Sequence, residues 1–254
     1  MSYEYPPQSW VTCPHPNPQA ALRLFCFPYA GGGASIYSPW AFQVPEQIEV
    51  YGIQYPGREN RLREPPLTKL SELVQILAPL LAPLLDRPFA FFGHSLGGII
   101  AYELIRHLRS TYAREPLCFF ASACRAPHLP LRREPVHHLP YSSLVNVLRD
   151  FRGTPEAILQ NKELMDLLLP VLRADMKMFE TYTWTPGTPL ACRIVAFGGR
   201  QDREVRSAEI EGWREHTAHS FLVKMFEGGH FFLQNERQEL LQIITQETCL
   251  LLSR

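Results

Sequence analysis

The chain has 254 residues, of which 46% are hydrophobic and 20% charged, with 25 basic residues balanced by 25 acidic ones. That is enough apolar material for one α/β domain with an insertion, and the charge balance excludes a disordered chain or a duplex nucleic-acid binder. No run reaches the ~18 apolar residues of a membrane span. Residues 1–20, with Pro6, Pro7, Pro14, Pro16 and Pro18, read as an extended leader without the basic and apolar regions of a signal peptide. Residues 22–28 predict a buried strand, followed at once by the glycine loop Tyr29-Ala30-Gly31-Gly32-Gly33. Residues 49–55 predict a second strand, ended by Pro56-Gly57. Residues 70–85 have helical spacing that Pro79 and Pro83 must bend or divide. Residues 88–92 predict a strand, 96–109 a helix and 117–123 another strand. From about 126 to 190 the alternation stops, and two helices are expected at 141–151 and 162–184. Strands at 192–197 and 221–226 resume the pattern, and 236–252 predicts a closing helix. Strands alternating with helices imply a mostly parallel sheet with right-handed crossovers, interrupted by a helical insertion.

The six cysteines, Cys13, Cys26, Cys118, Cys124, Cys192 and Cys249, form no CxxC pair. They read as reduced thiols of a cytoplasmic protein rather than as metal ligands.

Gly93-His94-Ser95-Leu96-Gly97 fits GxSxG. A chain of this length holds a chance match about one time in twelve, so context decides. An apolar strand precedes the motif and an apolar-periodic helix follows it, as a nucleophile elbow requires. Such a strained turn lifts the Ser95 hydroxyl clear of the backbone at a helix N-terminus. In that arrangement the acid and then the histidine follow the serine along the chain. His230 comes after the strand 221–226 through Glu227-Gly228-Gly229, at the strand's carboxyl end. His216 and His219 precede that strand, His137 and His138 lie in the insertion, and His94 should point away from the hydroxyl. Asp202 follows the strand 192–197 through Gly198-Gly199-Arg200-Gln201 and also emerges at a carboxyl end, with Glu204 its nearest competitor. His230 would take the Ser95 proton, and Asp202 would fix its tautomer. An oxyanion needs two backbone N–H donors, one from Leu96 and one from the glycine loop, where Ala30 is expected and Gly31 is the alternative.

These residues together resemble the type II thioesterases of nonribosomal peptide and polyketide synthesis, members of the α/β-hydrolase superfamily. The resemblance runs through Leu24-Phe25-Cys26-Phe27-Pro28-Tyr29-Ala30-Gly31-Gly32, Tyr55-Pro56-Gly57-Arg58-Glu59, Phe92-Gly93-His94-Ser95-Leu96-Gly97-Gly98, Arg125-Ala126-Pro127-His128, Leu172-Arg173-Ala174-Asp175, Gly199-Arg200-Gln201-Asp202 and Gly228-Gly229-His230-Phe231-Phe232-Leu233. It implies an α/β-hydrolase fold over residues 1–254, with a helical lid at about 127–190. It also implies hydrolysis of acyl thioesters from the phosphopantetheine arm of acyl- or peptidyl-carrier-protein domains. Ser95, Asp202 and His230 match the family's triad, Ala30 and Leu96 its oxyanion donors, and no cofactor or metal is implied. Neither a nucleic-acid nor a membrane partner is expected, and a monomer is. Leu96 and Gly98 stand where methionine and alanine are usual, and Cys124 where arginine is, a change expected at the chamber edge. The apolar stripe Leu164, Leu167, Leu168, Leu169, Met176, Met178 and Phe179 reads as core or as the lining of an acyl tunnel. Alternative readings are a medium-chain fatty acyl thioesterase, a carboxylester hydrolase, an acyltransferase or cyclase, and a non-catalytic binding module.

Overall fold

The computed structural model describes residues 10–253. Seven strands form one sheet. They are β1 (Val11–Thr12), β2 (Leu22–Phe27), β3 (Ile48–Ile53), β4 (Phe89–His94), β5 (Cys118–Ser122), β6 (Arg193–Gly199) and β7 (Phe221–Phe226). Their spatial order is β1-β3-β2-β4-β5-β6-β7, with every pairing parallel except β1 with β3. The helices are α1 (Leu70–Leu81), α2 (Leu96–Tyr112), α3 (Tyr141–Phe151), α4 (Glu156–Leu159), α5 (Lys162–Glu180), α6 (Ser207–Glu211) and α7 (Arg237–Leu252). This is the mostly parallel, helix-flanked sheet of the α/β-hydrolase fold.

The central strands are apolar on both faces, as a sheet covered on both sides requires. Phe25, Phe27, Phe89, Phe91, Phe119, Ala121, Ile194 and Ala196 pack into one core with α1 and α2. Their alternates Leu24, Cys26, Ala90, Phe92, Cys118, Phe120, Val195 and Phe197 pack into a second core with α7 and the 3-10 segment Ala34–Phe42. A one-residue slip in any of these strands would exchange the two sets of side chains, so the pattern fixes register.

Several boundaries differ from expectation. The helix expected over 70–85 ends at Leu81 and gives way to a 3-10 turn, Ala82–Leu84, with Pro83 inside it. Proline is compatible with the start of a new turn but not with continuing the hydrogen-bond ladder. The helix expected to reach 184 stops at Glu180, short of β-branched Thr181, Thr183 and Thr185. The expected leader lies partly outside the described residues. Within them Val11 and Thr12 pair with Ile53 and Gly52 at the sheet edge, a two-residue contact too short to show as a strand pattern.

The segment between β5 and β6 carries α3, α4 and α5. These helices have their own apolar cluster, including Leu144, Leu148, Met165 and Leu169.

Candidate active site

The chain runs outward from β2 to β3 and returns to β4 beside β2, so the strand order reverses between β2 and β4. Ligand sites of open parallel sheets form at the carboxyl ends of strands beside such a reversal. Phe27 is registered against Gly93, which sets the loop after β2 beside the turn after β4.

Ser95 stands between β4 and α2 with φ 54° and ψ −119°, a left-handed conformation that costs a non-glycine residue about 1–3 kcal/mol. Its neighbours explain how the turn holds. A Cβ on Gly97 would lie 2.1 Å from the Phe27 carbonyl oxygen, and one on Gly93 would lie 2.3 Å from the Gly97 carbonyl oxygen. Only glycine permits this stacking of β2, the turn and α2. The Ser95 N–H donates to the Ser122 carbonyl at 2.8 Å and anchors the elbow to β5. Leu96 opens α2, so its N–H has no acceptor within the helix.

His230 follows β7. Its Nδ1–H donates to Asp202 Oδ2 at 2.8 Å, and the Asp202 side chain is fully buried. Oδ1 of Asp202 accepts the N–H groups of Glu204 at 2.8 Å and Val205 at 3.1 Å, so both oxygens are engaged. The two loops are tied together, with Arg200 N donating to Phe226 O, Gln201 N donating to Gly228 O, and Gly228 N donating to Gln201 Oε1. Glu204, the competing acid, faces Arg133 at 3.6 Å instead. No hydrogen bond joins the Ser95 hydroxyl to His230, a looseness usual for nucleophile–base pairs before substrate binds.

Ser95, Leu96, Ala30 and His230 line one cavity of about 250 Å³, walled on the far side by Leu172, Met176 and Phe179 of α5. In the glycine loop, the Gly31 N–H donates to Asp175 Oδ2 at 2.7 Å. The Ala30 N–H has no protein acceptor among the described residues.

The apolar stripe of α5 divides by depth. Met176 and Phe179 line the cavity, Met178 joins the main core, Leu169 fills the insert's own cluster, and Leu164 and Leu167 are exposed. Cys124 is not at the chamber edge. It packs behind the elbow, where a Cβ on Gly98 would lie 3.0 Å from its Sγ, so a small residue at 98 and cysteine at 124 fit each other. Burial pushes its thiol up to about 12, which leaves it inert.

Sequence reasoning missed His94. It does point away from the hydroxyl, but its ring is fully buried, with Nε2 donating to the His230 carbonyl at 3.0 Å and Nδ1 accepting from the Ser122 hydroxyl at 2.9 Å. A carbonyl can only accept, which fixes this tautomer. Arg58 and Asp175 also went without a role, although each stands in a quoted motif block.

A thioesterase-domain family model matches residues 22–248. The chain belongs to the thioesterase family. Among its relatives, Gramicidin S biosynthesis protein GrsT of Aneurinibacillus migulanus is 43% identical, over 96% of this chain and 95% of that protein. Linear gramicidin dehydrogenase LgrE of Brevibacillus parabrevis is 45% identical, over 94% of this chain and 92% of that protein. The solved structure of the type II thioesterase BorB, from the borrelidin biosynthetic cluster, superposes with a TM-score of 0.87 at 37% identity, covering 94% of this chain and 98% of that one. No helix among the described residues is long and apolar enough to cross a membrane.

Proposed function

We propose that this thioesterase is a discrete type II enzyme that clears aberrant or stalled acyl groups from the phosphopantetheine arms of carrier-protein domains in nonribosomal peptide or polyketide synthesis. The observation that carries this reading is one cavity. It gathers a strained serine, a carboxylate-bound histidine and two unengaged N–H donors under an apolar wall from the helical insert. The similarity to GrsT and BorB supports the pathway class.

In this reading Ser95 Oγ attacks the thioester carbonyl carbon while His230 Nε2 takes its proton. Asp202 holds Nδ1–H and stabilises the imidazolium. The N–H groups of Ala30 and Leu96 take the oxyanion. The carbon–sulfur bond then breaks, and the pantetheine thiol leaves with the proton from His230. Water, deprotonated by His230, attacks the acyl-serine, frees the carboxylic acid and regenerates Ser95. These groups and water balance every step, so no metal or cofactor is invoked. The chain acts as one domain in which residues 127–190 form the lid over the acyl chamber. It works as a cytoplasmic monomer, in keeping with its six free cysteines.

The test is incubation with acetyl- and longer acyl-loaded carrier proteins, following release of the free-thiol carrier by intact mass, with Ser95→Ala as control. Release that the variant abolishes is expected. Activity on simple oxygen esters without release from any carrier would overturn the thioesterase reading. A profile restricted to medium-length chains would favour the fatty-acid alternative.

A further inference from the structure

Residues 29–32 form a tight turn in which the Gly32 N–H donates to the Tyr29 carbonyl at 2.9 Å. Gly31 sits at its third position with φ 77°, the signature of a type II turn. Ala30, the second residue, lines the Ser95 cavity, and its N–H has no protein acceptor among the described residues. A turn of this kind competes with the type I form, which differs by a flip of the peptide between its two central residues. That central peptide presents the Ala30 carbonyl and the Gly31 N–H, while the Ala30 N–H sits on the preceding 29–30 peptide, so the donor is set by whatever anchors the turn as a unit.

The holder is not part of the loop. Asp175, on α5 of the insert, takes the Gly31 N–H at 2.7 Å. The same carboxylate receives a two-pronged contact from Arg58, Nη1 to Oδ2 at 2.7 Å and Nη2 to Oδ1 at 2.9 Å. Arg58 Nη1 also donates to the Gly32 carbonyl at 3.1 Å, so the pair grips the turn from both sides. The side chains are only 6% and 2% exposed. One turn away on α5, Leu172 presses on the loop so closely that a Cβ on Gly31 would lie 2.6 Å from its Cδ2. Such a buried ion pair is weak evidence for added stability, since apolar replacements of similar size are often neutral. Its placement on the turn that carries Ala30 calls for another account.

We propose that Asp175 and Arg58 are positioning residues for the oxyanion hole, anchoring the 29–32 turn at the Gly31 N–H and the Gly32 carbonyl so that the Ala30 N–H, one peptide upstream, meets the developing charge. Because Asp175 rides on α5, the donor is set only while that helix is docked, and lid position and catalytic competence are coupled through one hydrogen bond. This rests on the assignment of Ser95 and Ala30 above.

The test compares Arg58→Met/Asp175→Leu, which removes both charges, with Arg58→Met/Asp175→Asn, which restores an uncharged acceptor for Gly31. Thermal midpoint, kcat and KM on an acyl thioester, and affinity for n-butylboronic acid are measured for each. The boronic acid adds to the serine and places a tetrahedral anion in the oxyanion hole. In the Met/Leu variant a folded protein is expected, with KM within about threefold of the parent. Its kcat and boronate affinity should both fall about 30-fold or more, in the range of a lost oxyanion donor. The Met/Asn variant should recover about tenfold of each. Full kcat and boronate affinity in Met/Leu would overturn the proposal. So would losses that track only the fraction unfolded, or no recovery in a folded Met/Asn variant. Ser95-dependent boronate binding by a parent that releases no acyl group from carriers would remove the thioesterase reading while leaving this proposal standing.

Discussion

Asp202 uses one oxygen for two loop N–H groups and the other for His230. In Asp202→Asn the amide oxygen would stay with the two N–H donors, and its NH2 would face His230 Nδ1. The imidazole would then adopt the opposite tautomer, carry its proton on Nε2, and lose the lone pair that accepts from serine. We expect kcat to fall by about 10³–10⁴ with KM little changed, measured by steady-state hydrolysis of an acyl thioester. His94 acts one step further out. With the ring neutral, Nε2–H holds the His230 backbone and the Ser122 hydroxyl holds Nδ1. Burial, with His230 as its neighbour, keeps its pKa well below the usual histidine value, so this arrangement persists over the working pH range. His94→Phe preserves ring volume but orphans a buried carbonyl and a buried hydroxyl. It should cost about 1–3 kcal/mol of stability by denaturant titration and lower kcat about tenfold, with KM retained. A fall in KM equal to that in kcat would show that His94 does not orient the base.

At the level of elements, the elbow is the least forgiving part of the chain. Gly97→Ala drives a methyl group into the Phe27 carbonyl, a backbone atom that cannot swing aside. The variant should be insoluble or lose several kcal/mol in chemical denaturation. Gly98→Ala meets the Cys124 side chain, at 2.9 Å from its Cβ, and the Gly93 carbonyl oxygen only at 3.3 Å, and should be milder, costing about 1–3 kcal/mol as an overpacking change. This difference also explains what the sequence made legible. The central strands and α2 were readable because they are buried continuous runs bounded by glycine and proline, and the segments carrying Ser95, Asp202 and His230 inherit their places from those strand ends. The 3-10 segment Ala34–Phe42 went unpredicted because its hydrophobic residues follow no helical or strand period and Pro39 interrupts it. The contact of Asp175 with Gly31 spans 144 positions along the chain, and no local pattern encodes it. His94 looked like a spectator because alternation along β4 gives only the side on which a residue stands, not what waits there.

For the whole molecule, the zero formal charge hides an uneven distribution of histidine states. His216 lies between the body and the start of the insert, 4% exposed. Its Nδ1 is hydrogen-bonded with the Tyr102 hydroxyl at 2.9 Å, and its Nε2 with His128 Nδ1 at 2.7 Å. His128 Nε2 in turn faces Glu215 at 3.7 Å. Burial, then the neighbouring His128 and Arg106, depresses the His216 pKa from 6.5 to about 4. An unfolded chain therefore takes up a proton between those values that the folded chain refuses. The number of protons bound is larger in the unfolded state, so stability rises with pH across this window. His94 adds to the effect with the same sign. The stabilisation is complete above about pH 6.5 and is lost as the pH falls toward 4. Denaturant unfolding at a series of pH values should show this slope, and His216→Gln should flatten it by up to one proton, so that any destabilisation by the substitution is larger at pH 8 than at pH 5. An unchanged slope in the variant would mean that His216 already titrates in the folded protein as it does in the unfolded chain, and that the Tyr102–His216–His128 relay is open to water at the junction between body and insert.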